Sequence, residues 1–99
     1  DVSSVTNMNL MFANNNAFDQ NVGSWNLSSL TNADRVFLNV ELSTDNYDST
    51  LIGWSNTGVP NGLTFNFGNS KYTSGGTAEA ARNNLINTYN WTIVDGGTA

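Results

Sequence analysis

Eight carboxylates are the only side chains here suited to acid–base work near neutral pH, because the 99 residues contain no histidine and no cysteine. The missing histidine removes the commonest general base and metal ligand. The missing cysteine removes disulfides, thiolate metal sites and a thiol nucleophile together. What remains is carboxylate chemistry, and a glycosidase needs two carboxyls facing one cleft at about 5–10 Å. Asp1, Asp19, Asp34, Glu41, Asp45, Asp48, Glu79 and Asp95 are instead spread over the whole chain. Asp45 and Asp48 come closest to a pair, and at the start of a predicted helix they read more simply as a cap and a first-turn acid. Calcium takes six or more oxygens, usually from closely alternating acids, and neither Asp19-Gln20-Asn21 nor Asp45 with Asp48 supplies that many. No catalytic, cofactor-binding or metal-ligating residue is assigned.

Aromatic stacking on a sugar is the other chemistry open to this composition. Trp25 and Trp91 each precede an apolar partner by two positions (Leu27 and Ile93), the spacing of one strand face, and both read as core. Trp54 lies between Gly53 and Ser55 near a predicted helix end and is the tryptophan expected to reach solvent. A ligand surface would then draw on Trp54, Tyr72 and the run Asn14-Asn15-Asn16. Asn26-Leu27-Ser28 and Asn90-Trp91-Thr92 match the glycosylation acceptor pattern, which so asparagine-rich a chain meets by chance.

Charge excludes other partners. The net charge is −5 and the only cations are Arg35, Lys71 and Arg82. Nucleic-acid binding neutralises several phosphates at once, and three scattered cations do not supply that. They do not make a polybasic membrane contact either. No apolar run approaches the roughly 18 residues that span a bilayer. The chain opens inside a repeat without a start methionine, which suggests a piece of a larger protein.

The elements that must position these residues are organised by that repeat. Asp1 to Phe12 returns as Asn26 to Phe37: Ser3, Ser4, Thr6, Asn7 and Phe12 recur as Ser28, Ser29, Thr31, Asn32 and Phe37. Val2, Val5 and Met11 recur as Leu27, Leu30 and Val36. A period in the twenties is the signature of stacked strand-plus-helix units. Val2 and Val5 read as extended. Thr6 and Thr31 stand where N-caps belong, ahead of helical stripes at Met8, Met11, Phe12 and at Ala33, Val36, Phe37. Ala33 is smaller than its counterpart Met8, so the two turns are not interchangeable. The echo fades after Phe37. Further on, Thr44 or Asp45 can cap a helix over 46–55, and Leu63 to Phe67 alternates as a strand. Thr77 opens a helix from Ala78 to about Tyr89, and Trp91 to Val94 reads as a last strand.

V-S-S-V-T-N-M-x-x-M-F (Val2 to Phe12) and A-F-D-Q-N-V-G-S-W-N-L-S-S-L-T-N (Ala17 to Asn32) resemble the repeat of BspA-like leucine-rich-repeat bacterial surface proteins. That repeat reads W-D-V-S-x-V-T-x-M-x-x-M-F-x-x-A-x-x-F-N-Q-D-I. The segment from Asn46 to Gly97, with L-I-G-W and G-N-S-K-Y-T-S-G-G, is similar to the terminal part of such arrays. Ala33 for the repeat methionine and Asn26 for the repeat aspartate are departures. The resemblance implies an α/β fold, a leucine-rich-repeat-like solenoid of short parallel strands and helices with a C-terminal cap. It implies a single domain over 1–99, with two repeats in 1–40 and an atypical terminal turn and cap in 41–99. It also implies a secreted or cell-surface location in a bacterium, an adhesion or spacer role, and a protein or glycan partner on a host, neighbouring cell or matrix. It brings no catalytic residues. A carbohydrate-binding module built on exposed aromatics is the alternative, and a two-carboxylate glycoside hydrolase a more distant one.

Overall fold

The computed structural model describes residues 4–15 and 17–99. Expectations for Asp1, Val2, Ser3 and Asn16 lie outside these residues. Two helices and two short parallel strands alternate along the second half of the chain: α1 (Thr44–Ser55), β1 (Thr64–Asn66), α2 (Thr77–Thr88) and β2 (Thr92–Val94). The protein is thus a small α/β structure with a two-stranded parallel sheet, registered Thr64↔Thr92, Phe65↔Ile93 and Asn66↔Val94.

Both helices lie where the apolar spacing predicts them. The hydroxyl of Ser43, one residue earlier than expected, caps α1 by accepting the Asn46 N–H at 3.3 Å. Tyr47, Thr50, Leu51 and Trp54 form its buried stripe. At the start of α2, Gly76 has no side chain to offer as a cap. Glu79 reaches back instead and accepts the Gly75 N–H at 2.7 Å, which also sets an acid against the positive helix end. Ala78, Ala81 and Leu85 face inward. Asn84 Nδ2 donates to Ser55 Oγ at 2.8 Å and ties the two helices together.

The expected helices after Thr6 and Thr31 do not form. Residues 9–14 and 34–39 make successive tight turns instead. Leu10 (φ 65°), Asn14 (φ 62°) and Asn39 (φ 60°) sit in the left-handed region, which no α-helix passes through. The N–H groups that a helix would keep are spent on the neighbouring coil: Phe12 N–H donates to Val36 O at 2.9 Å and Asn14 N–H to Leu38 O at 2.8 Å. Thr31 is correspondingly no N-cap. Its hydroxyl and N–H both donate to the Thr6 carbonyl, at 2.9 and 2.8 Å. Met11, expected in the core stripe, is 47% exposed, whereas Met8 is buried.

Many of the hydrogen bonds between distant stretches join residues 24 to 28 positions apart. Examples run from Thr31 with Thr6 (25 apart) and Ser43 with Asp19 (24) to Thr73 with Asp48 (25). Two fully buried hydroxyls repeat one device at a spacing of 28: Thr50 accepts the Val22 N–H and Ser70 accepts the Leu42 N–H. Inside the coils the rings make a column. Phe12 stacks on Phe37 at 5.7 Å, Phe37 on Phe67 at 5.4 Å, Phe67 on Phe65 at 5.5 Å and Phe65 on Trp91 at 4.8 Å. Helix α1 meets the corner at Gly23 by direct backbone contact, a Cβ on Gly53 falling 2.3 Å from Gly23 O.

Candidate functional site

Asparagine dominates the surface, and its commonest use is local. Asn7, Asn15, Asn21, Asn26, Asn32, Asn66 and Asp95 each accept, through the side-chain oxygen, the N–H two residues on. These seven Asx turns bend the chain at its corners, and in three of them the N–H that is held belongs to a glycine, Gly23, Gly68 or Gly97. Asn14 and Asn15, expected as ligand contacts, are exposed but engaged: Asn14 accepts from Asn39 Nδ2 at 2.7 Å, and Asn15 holds the Ala17 N–H at 3.2 Å.

The structure also removes the aromatic platform. Trp54 is 0% exposed, its indole N–H donating to Val22 O at 2.9 Å, which corrects the expectation that it reaches solvent. The small residues beside it, Gly53 above all, serve the close approach to Gly23. Tyr72 is 8% exposed, lies under the Arg82 guanidinium at 4.8 Å and offers no open face. Trp91 is buried and Trp25 half-buried against Phe12.

Five of the carboxylates have traceable structural work. Asp19 accepts the Ser43 N–H and Asn46 Nδ2, both at 2.8 Å, and these bonds hold its carboxyl below the ordinary range. Asp48 accepts both the N–H and the hydroxyl of Thr73, so it joins two coils rather than only completing a helix start. Asp45 lies in the first turn of α1, and Glu79 in that of α2. Asp95 is the centre of a clasp. It accepts from Tyr47 OH, from Arg82 Nε at 2.9 Å, more loosely from Arg82 Nη2 at 3.4 Å, and from Gly97 N–H at 3.0 Å. Burial, reinforced by the bond to Asp95, pushes the Tyr47 phenol up. Burial works against the Arg82 charge, but the bond to Asp95 and its charge outweigh it, and the guanidinium stays protonated. Among the described residues, no three acids converge as a metal cage would require.

A cleft that joins exposed polar groups to a gap in the architecture lies between residues 31–34 and 62–64. Thr31, Asn32, Ala33, Asp34, Gly62, Leu63 and Thr64 line about 230 Å³ of open space. A parallel bridge joins Asn7 to Asn32 and the sheet joins β1 to β2, but among the described residues no bridge joins 31–34 to β1. Sequence reasoning missed this site, since its walls are about 30 positions apart and carry no motif. A second hollow of about 210 Å³ separates α1 from α2 and is lined by Ile52, Ser55, Asn56, Thr77, Ala80 and Ala81.

A small α/β chain of this kind is recognisable from its sequence. The chain belongs to the family described as "Mycoplasma protein of unknown function, DUF285", which matches residues 1–75. No curated protein and no solved structure gives a significant match. No helix is long and apolar enough to cross a membrane among the described residues.

Proposed function

We propose that this chain is a non-catalytic module of a BspA-like, leucine-rich-repeat-like solenoid on a bacterial surface. It spaces or closes the array and presents a rigid polar face to a protein or glycan partner. The observation that carries this reading is the coil-to-coil bonding at 24 to 28 residues, from Thr6 with Thr31 to Asp48 with Thr73. A chain in which each turn hangs on the one before it is built for extension and display. The acids support the same reading, because Asp19, Asp48 and Asp95 are spent on holding coils together. Trp54 and Tyr72 give no support to a sugar platform of exposed rings.

Limited proteolysis of intact cells that carry the protein tests display. Release of peptides from this stretch before lysis is the expected result, and peptides that appear only after lysis would overturn it. In parallel, the purified chain should bind at least one matrix protein or glycan without turning it over. Hydrolysis abolished by a single carboxylate substitution would replace this reading with an enzymatic one.

A further inference from the structure

We infer that the cleft between residues 31–34 and 62–64 binds a single neutral sugar ring through its hydroxyls. The inference adds a ligand class and a site to the proposed display role and rests on it only in treating the chain as a binding module. Just before β1, Leu63 O accepts the Thr92 N–H, and just beyond it Phe67 donates to Val94 O, so these odd positions turn their backbone toward β2. The alternation of a parallel ladder then turns the Thr64 backbone the other way, into the cleft. No partner strand meets it there among the described residues. The cleft therefore has an unpaired strand edge on one wall and exposed polar side chains on the other.

That second wall is rigid. The Thr31 hydroxyl is fixed on Thr6 O and the Asn32 side-chain oxygen on the Asp34 N–H, which leaves the NH₂ of the exposed Asn32 available as a donor. Asp34 supplies an exposed carboxylate, able to accept from two adjacent hydroxyls. Ala33 and Leu63 form an apolar floor, and Ala33 stands where the previous coil has Met8, so no bulk fills the space. An open space of about 230 Å³ suits one small polar molecule such as a sugar ring and not a long chain. No cation lines the cleft, so an anion is disfavoured. One acid is too few for calcium. A docked peptide strand is disfavoured because β1 is three residues long.

Titration of the ¹⁵N-labelled chain with D-glucose, D-galactose and N-acetyl-D-glucosamine, followed by amide chemical shifts, tests the inference. Saturable shifts confined to residues 31–34 and 62–64 are expected for at least one sugar, with a millimolar Kd because no aromatic face lines the cleft. Asp34→Ala should weaken binding at least about tenfold, while Asp45→Ala, an exposed acid elsewhere, leaves it unchanged. The dispersion of each variant's spectrum verifies that it is folded. No saturable shift with any of the three sugars, or shifts that Asp34→Ala does not weaken, would overturn the cleft as a sugar site. Surface display, read separately from intact cells, would stand or fall on its own result.

Discussion

Asp95 shows what a single residue does in this protein. Its side chain is 3% exposed, Arg82's is 18% exposed, and together with Tyr47 they tie both helices to the C-terminal segment. Asp95→Ala strips the partner from a half-buried guanidinium, and a cost near the low end of the range for broken buried pairs, about 3 kcal/mol, is expected in urea unfolding. Tyr47→Phe keeps the ion pair and loses one charge-assisted bond, for about 1.5–2 kcal/mol. The phenol also makes stability depend on alkali. Its folded pKa is raised above 10.0, so its contribution is complete below pH 10 and is lost as the pH climbs beyond. Above pH 10 the unfolded tyrosine ionises and the folded one does not, so stability should fall by about 1.4 kcal/mol per pH unit through this group. Unfolding curves taken between pH 9 and about pH 11 should show that component in the parent chain and not in Tyr47→Phe.

At the scale of elements, the placing of α1 depends on the absence of two side chains. A Cβ on Gly53 would come within 2.3 Å of Gly23 O, a backbone atom that cannot swing aside, whereas one on Gly58 would meet nothing. Gly53→Ala is therefore expected to cost about 2–3 kcal/mol, and Gly58→Ala to be neutral or stabilising by up to about 0.5 kcal/mol. The ring column separates the two repeat phenylalanines. Phe37 is fully buried and touches Phe12, Phe18 and Phe67, while Phe12 is half-buried at the first coil. Phe37→Ala should cost about 3–5 kcal/mol and Phe12→Ala about half as much in the same thermal or urea measurement. Both helices, both strands and the recurring phenylalanines are legible in the sequence, because their signal is local periodicity. The turns at 9–14 and 34–39 are not, since a tight curve buries positions i and i+4 much as a helix does. Positive φ at Leu10, Asn14 and Asn39 separates the two shapes; asparagine is also a common helix end, and the type of Leu10 gives no warning. The cleft is illegible for a different reason. Thr31 to Asp34 and Gly62 to Thr64 meet only once the stack exists, and the sole trace in the sequence is Ala33 in place of methionine.

The whole molecule measures 33 × 30 × 20 Å and carries a net charge of −5 with three cations, so repulsion among its acids is spread over a small body. What offsets it is the chemistry of the joints. Coil meets coil through a threonine hydroxyl on a carbonyl, an amide on an amide, a serine under an N–H, and an aspartate on neutral donors. Asp19 and Asp48 thereby lower the cost of their own charge without calling on a lysine or arginine. The Arg82–Asp95 clasp is the ion pair among the described residues, and its position out of bulk water shields it from counterions. These joints set no two opposite charges against each other, so dissolved ions have little in them to screen. Stability should accordingly be nearly blind to brine: the melting midpoint is expected to move by no more than about 2–4 °C between dilute buffer and about 0.5 M sodium chloride. A fall well beyond that would mean that surface ion pairs, not amides and hydroxyls, hold the stack. The asparagines that look like a binding surface in the sequence are thus, in large part, the corners and joints of the fold itself.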